Sequence, residues 1–461
     1  MRTYLSVIIV IILLNTLYSI DSGVCDGYDN KPLLESDRKE MRLWDLRHVN
    51  ESDYRETLYG FSAAMKAVWD HQHPKNCSTA KFLISGGHAA GFGSQYHVEG
   101  SFLAIAMNLG RVLLPHPIFP HQWPFKNSFC REFHHTNFHC YYEPYSSCTY
   151  EDVIASYERG RPFTWRDRDI PLFDYTETGT LEDAMKRHEE KMQESVLRLK
   201  VGLIRSFEFP KSLLSIWKCS PKEYGHIDSQ ARAAWWLSVS SAFLLRPNAR
   251  TLNKLDELRS FELSTSSTSI QREKGIETQR EGPVVGVYVR HGDKHAEMKL
   301  LPFQTYADMI ARLWRTGLVH SRYTDEELSK IDLNKNGTIF FGTEDPVALQ
   351  EAVEWGQANN WTVLYTNLFK RDMVLAADQQ RQRGAAEHHE LEYLSMLLNM
   401  DYFLRCDAWI GTMRSNWCRT TDELRNTVAG KADLRNVDLT NGANMAYKGF
   451  SYDNKHAIRL V

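Results

Sequence analysis

The chain has 461 residues, 43% hydrophobic and 25% charged, with a formal net charge of -3. This length suits two or three domains of roughly 150 residues each, with enough apolar content for their cores. The charge balance provides no broad basic field, which argues against a nucleic-acid partner, so an anionic ligand would need a local concentration of positive charge.

Arg2 is followed by an apolar run, Tyr4 to Ile20, broken only by Ser6, Asn15, Thr16 and Ser19. Such a run directs a chain into the secretory pathway. Its length lies between a cleaved signal peptide and a transmembrane helix, so residues 1–23 are read as either a signal peptide or a single-pass type II signal anchor. The remainder is then expected in the lumen of the endoplasmic reticulum or Golgi. Four N-glycosylation sequons, at Asn50, Asn76, Asn336 and Asn360, agree with that location. So does an even set of eight cysteines: Cys25, Cys77, Cys130, Cys140, Cys148, Cys219, Cys406 and Cys418. Cys130, Cys140 and Cys148 fall in a His-, Tyr- and Pro-rich segment and read as disulfide staples of a loop-rich region. A zinc site using them with His134, His135 and His139 is the alternative, but the spacings match no standard zinc pattern.

Residues 24–79 read as a helical N-terminal region. Met41, Leu43, Trp44 and Leu46, then Leu58, Phe61, Met65, Val68 and Trp69, recur at helical spacing. A β-loop-α-β unit opens the next region, 80–263: strand Phe82–Ile84, a glycine-rich turn over Gly86–Gly93, helix Val98–Leu109, then a strand from Arg111 to Leu114. Gly91 and Gly93 allow close approach of a ligand. The helix N-terminus near Gln95, Tyr96 and His97 offers N–H donors and a positive dipole end. Asp183–Leu199 reads as a charged amphipathic helix, and Trp235–Leu245 as a more buried one closed by Arg246-Pro247. After a helix over Leu252–Phe261, residues 264–282 are rich in Ser, Thr, Glu and Arg and read as a linker or mobile loop.

Residues 283–461 alternate strands and helices. The strands are Val284–Val289, Thr338–Phe341, Thr362–Tyr365 and Ala408–Ile410; the helices are Phe303–Trp314, Val347–Asn359, Glu387–Arg405 and one opening at Trp417. This is the pattern of a doubly wound parallel sheet. The β-branched run Val284, Val285, Val287, Val289 suits a strand buried on both faces, and it stops in Arg290-His291-Gly292-Asp293-Lys294, with Glu297 a turn further on. Ligands of such sheets lie beyond the carboxyl ends of the strands, where Arg290, Glu344, Asp345, Ser415 and Asn416 are expected to meet. An arginine fork there can grip phosphate oxygens. Two weaker motifs are set aside. Asp332 to Gly337 mimics half an EF-hand loop but places Thr343 at the twelfth position, so it reads as an Asn-Gly turn. Asp167-Arg168-Asp169 follows no buried strand and reads as a solvated loop.

Taken in order, GFGSQYH at 91–97, VGVYVRHGDK ending at Lys294, FFGTEDP at 340–346 and CDAWIGTMRSNWCR at 406–419 resemble the motifs of the α1,6-fucosyltransferase and protein O-fucosyltransferase superfamily. The likeness is nearest to the core α1,6 branch. It implies an α/β GT-B fold of two Rossmann-like domains facing a cleft, with 80–263 on the acceptor side and 283–461 binding the GDP-sugar. It implies GDP-fucose as donor, a glycan or glycoprotein acceptor, inversion at the fucose carbon, and no metal or other cofactor. By resemblance, Arg290 holds the β-phosphate with His291 beside it, Glu344 and Asp345 contact guanine or ribose, and Ser415 and Asn416 hydrogen-bond phosphate. Gly91, Gly93 and His97 line the donor site. Glu297 is the matching general base, assisted by Lys294, with Asp293 in reserve.

The chain departs from the family pattern in several places. Tyr288 stands for the leading His, His291 for the second Arg, Glu344 for an Asp and Asn416 for a Gln. The step from arginine to base is one residue shorter, and a donor-binding acid of the long helix falls near Asn399 or Asp401. The SH3-like end of the α1,6 enzymes has no counterpart, which leaves a protein Ser or Thr as an alternative acceptor. Outside enzymes, a nucleotide-sugar- or glycan-binding relative is the other reading.

Overall fold

The computed structural model describes residues 28–46, 56–86, 91–116, 129–130, 137–157, 170–175, 180–199, 208–219, 229–265, 283–291, 299–317, 337–366, 386–432 and 436–439. The apolar run at residues 1–23, the sequons at Asn50 and Asn336, both set-aside motifs, and Asp293, Lys294 and Glu297 lie outside them. Among the described residues no helix is long and apolar enough to cross a membrane.

Two parallel sheets carry the fold. The first contains β1 (Phe82–Ile84), β2 (Val112–Leu114), β3 (Leu172–Phe173) and β4 (Val196–Leu199) in the order β2-β1-β4-β3. The second contains β5 (Val284–Val289), β6 (Thr338–Thr343), β7 (Thr362–Leu364), β8 (Ala408–Gly411) and β9 (Asn436–Asp438) in the order β7-β6-β5-β8-β9. Counted within that sheet the order is 3-2-1-4-5, the Rossmann arrangement, so its strand order reverses between β5 and β8. The expectation of two Rossmann-like α/β halves is met.

The main helices are α1 (Phe61–Gln72), α2 (Phe92–Asn108), α3 (Ser229–Leu244), α4 (Ala249–Thr265), α5 (Phe303–Arg315), α6 (Pro346–Ala358), α7 (Ala386–Arg405) and α8 (Asn416–Arg425). On β5, Val285, Val287 and Val289 face one core with Phe303, Tyr306 and Ile310 of α5. The alternate residues face a different core. There α2, α3, α7 and α8 pack together, so helices from both halves share one apolar interior with Phe102, Trp236, Leu397, Phe403 and Leu424. Gly286 lies on this inner face because α7 comes close: a Cβ there would sit 2.9 Å from the Phe403 ring.

Several expectations need correction. A short helix upstream of α1, Glu35–Glu40, stops before Met41, and Arg42 adopts a φ of 49°, so Met41, Leu43, Trp44 and Leu46 are buried without being helical. The segment expected as one amphipathic helix splits. Thr180 forms a capping box with Asp183 over a helix of Leu181–Arg187, and Val196–Leu199 becomes the buried strand β4. Its charges continue a helical period into Val196-Leu197-Arg198-Leu199, which the sheet takes as a strand. Helix α2 begins at Phe92, earlier than the sequence indicated, and α4 runs to Thr265.

The cysteines also divide. Cys77 bonds Cys148, Cys130 bonds Cys140, and Cys219 is disulfide-bonded, whereas Cys406 and Cys418 are buried thiols. Disulfides occupy Cys130, Cys140 and Cys148, leaving none of the three as a thiolate for the zinc alternative.

Candidate active site at the strand ends of the second sheet

Strand β5 delivers Arg290 and His291 to the point where the strand order reverses, and β6 delivers Glu344 and Asp345 beside them. The Arg290 guanidinium donates to Glu344 Oε1, and the His291 backbone N–H donates to the same oxygen at 2.9 Å. The Tyr288 hydroxyl donates to Oε2 at 3.0 Å. One carboxylate thus gathers a guanidinium, an amide and a phenol, which is the donor set an oxyanion requires. Burial, reinforced by the Glu344 charge, holds the Tyr288 hydroxyl well above its ordinary pKa, so it stays a donor.

His291 lies between Asp345 Oδ2 (2.7 Å from Nδ1) and the Leu301 carbonyl (2.8 Å from Nε2). Asp345 also caps α6, accepting from the Val347 amide at 2.8 Å. Partial burial pushes its carboxyl up, but the His291 bond and the capped amides outweigh that and bring it below its ordinary range.

The turn after β8 brings in Ser415 and Asn416. Ser415 is the N-cap of α8 and accepts from the Cys418 amide at 3.4 Å. A capped helix N-terminus close to Arg290 suits a phosphate. The two strand ends are joined by an aromatic stack, Tyr288 on Trp417, with centroids 4.3 Å apart. Burial pushes the neighbouring Cys418 thiol up to about 11, so it remains a neutral filler.

The glycine-rich segment reaches the same place from the first half, in a way the sequence did not indicate. A Cβ on Gly93 would lie 2.5 Å from the Asn416 carbonyl, so this glycine permits a helix contact between α2 and α8. Gly91 is the N-cap of α2, with open space around its Cα. His97, in the second turn of α2, faces Asn416 and Glu423. Arg290, His291, Glu344 and Asp345 therefore form one cluster, Gly93, His97, Ser415 and Asn416 a second, and the Tyr288–Trp417 stack connects them. Of the two positions to which the donor-binding acid maps, Asn399 accepts from Thr366 at 2.7 Å, and Asp401 is buried between Arg259 and Arg405.

Sequence reasoning did not single out Trp417, Arg419, Glu423 or Ser241. The signal available was the spacing of Asn416, Arg419, Thr420 and Glu423, which places a polar stripe along one face of α8.

No protein-family model matches the chain, and no curated protein matches it. Solved structures similar to it include a variant of Arabidopsis thaliana FUT1 in complex with GDP, at 10% identity and a TM-score of 0.41, covering 82% of this chain and 80% of that one. Fucosyltransferase NodZ from Bradyrhizobium is similar at 13% identity and a TM-score of 0.31, covering 75% and 92%. POFUT1 in complex with GDP-fucose is similar at 11% identity and a TM-score of 0.34, covering 77% and 96%. At these identities and scores the neighbours assign neither family nor activity to this chain.

Proposed function

We propose that this protein is a fucosyltransferase that moves fucose from GDP-fucose to a glycan acceptor, of α1,6 type, with inversion and without a required metal. The observation that carries the proposal is the placing of Arg290 and His291 at the strand-order reversal of a Rossmann-type sheet, beside the capped N-terminus of α8. The ordered motifs of the sequence supply the choice of sugar and nucleotide.

In this reading the acceptor hydroxyl attacks the anomeric carbon while Glu297, assisted by Lys294, takes its proton; Asp293 is the reserve base. The bond to the β-phosphate oxygen breaks and its electron pair leaves with GDP. Arg290, fixed before the reaction, stabilises the charge that grows there. Ser415 and Asn416 hold the diphosphate, and Glu344 and Asp345 contact guanine or ribose. The protein works in the lumen of the endoplasmic reticulum or Golgi, an assignment supported by its disulfides and by the exposed sequon residues Asn76 and Asn360.

Calorimetric titration of the full chain in detergent with GDP and GDP-fucose, with and without EDTA, tests this. GDP binding that survives EDTA is expected. A folded chain that binds neither nucleotide would defeat the proposal and favour a glycan-binding relative.

A further inference from the structure

His97 was expected to line the donor site, and both its ring nitrogens face residues of α8. Nδ1 lies 3.2 Å from Asn416 Oδ1, and Nε2 lies 3.0 Å from Glu423 Oε1. The Asn416 oxygen also accepts from the Arg419 guanidinium, a group that can only donate. That contact identifies the atom facing His97 as the oxygen and not the amide nitrogen. Nδ1 is therefore a donor. Nε2 faces both oxygens of the Glu423 carboxylate, which only accept, with the Thr420 hydroxyl 3.4 Å away, so this nitrogen too is placed to donate.

The His97 side chain is 11% exposed and that of Glu423 is fully buried. Glu423 also accepts from Ser241 of α3 at 2.7 Å. Burial alone would push this carboxyl up; the His97 charge, the His97 bond and the Ser241 bond reverse the direction. Three helices from two halves of the chain thus meet at a desolvated hydrogen-bonded pair whose other end grips the first residue of α8.

We infer that His97 is a positioning residue: with Arg419 it fixes the Asn416 carboxamide oxygen, so the amide's two N–H donors are left for the diphosphate. It acts through Asn416, and the inference rests on the donor-site reading above. By this route the first half of the chain sets the geometry of a site built on the second.

The test compares GDP with GMP by calorimetry on the full-length chain. His97→Ala should weaken GDP binding about tenfold, the scale of one charge-assisted bond, and leave GMP unchanged. In an Asn416→Ala background His97→Ala should cost nothing further. A folded His97→Ala protein with an unchanged GDP-to-GMP ratio, or losses that add, would overturn the inference. If His97→Ala does not fold, ¹⁵N spectra of histidine-labelled wild type decide: both ring nitrogens should be protonated at neutral pH, and a neutral tautomer would overturn it. A wild-type chain that binds no GDP would instead remove the donor-site reading, and this inference with it.

Discussion

The two sheets share parallel strands and a common helical interior, yet their strand ends differ. The second sheet ends in Arg290, His291, Glu344, Asp345 and Ser415, all held in mutual hydrogen bonds or caps. In the first, β1 and β2 end at Ser85, Pro115 and His116, and the carboxyl beside Ser85 is Glu99, which is 2% exposed. Burial pushes Glu99 up to about 8, with Ser85 opposing only in part. Asp345, bonded to His291 and to the amides it caps, is held below its ordinary range, whereas the desolvated Glu99 is pushed up. The difference fits the proposed placing of the donor site in the second half. The first half contributes by packing α2 against α8.

The largest expected effect probes this directly. Arg290→Ala should weaken GDP binding on the order of 100-fold or more, since one charged group carries two or more bonds to a diphosphate. Calorimetry reads it, and near-normal affinity in the folded variant would move the phosphate site elsewhere.

Glu99 tests the other side. Its folded pKa of about 8 exceeds the ordinary 4.5. Between those values the folded state binds the extra proton, so stability is present below about 4.5 and is lost as pH rises through 8. Asp422, also raised to about 8, and Glu392, raised to about 7, act in the same direction, so only part of the slope belongs to Glu99. Glu99→Gln should therefore unfold later than wild type in denaturant at pH 8, by on the order of a few kcal/mol, with a smaller difference at pH 5. Parallel unfolding curves at the two pH values would show that Glu99 is not desolvated.

How far the sequence foretold all this varies from one element to another. Val284–Val289 is read to the residue because four valines, interrupted only by Gly286 and Tyr288, run to a charged stop. β4 is hidden because charges at 182–194 prolong a helical period into a strand of four residues. The Cys77–Cys148 bond spans 71 residues, and nothing local encodes it. Cys406 and Cys418, counted among disulfide cysteines, fill space under Gly286 and Gly411. The candidate site divides likewise. Charges at strand ends announce their chemistry, but His97 and Glu423 are 326 residues apart, and their contact exists only once α2 and α8 have packed.

That packing makes the two glycines of GFGSQYH unequal, although in sequence they read alike. Gly93→Ala would force a methyl to 2.5 Å from the Asn416 backbone and should cost about 1–3 kcal/mol of stability, as overpacking does. Gly91→Ser adds its Cβ into open space at an N-cap, where serine is favoured, and should be neutral or slightly stabilising. Thermal unfolding of the pair decides it. Equal effects would mean that α2 does not approach α8 as closely as described.

The smallest effects compare one cap from each half. Thr180 caps Leu181–Arg187 at the edge of the first sheet, and Ser415 caps α8 beside Arg290. Replacing either with alanine leaves one amide without its acceptor and should cost about 1 kcal/mol of stability. Only the second cap stands where a diphosphate would meet the helix N-terminus. Ser415→Ala should therefore also weaken GDP binding several-fold, by losing one hydroxyl donor, while Thr180→Ala leaves binding unchanged. If both variants lose stability alike and bind GDP like wild type, Ser415 is a cap and nothing more, and the phosphate contacts at α8 fall to Asn416 and the backbone amides.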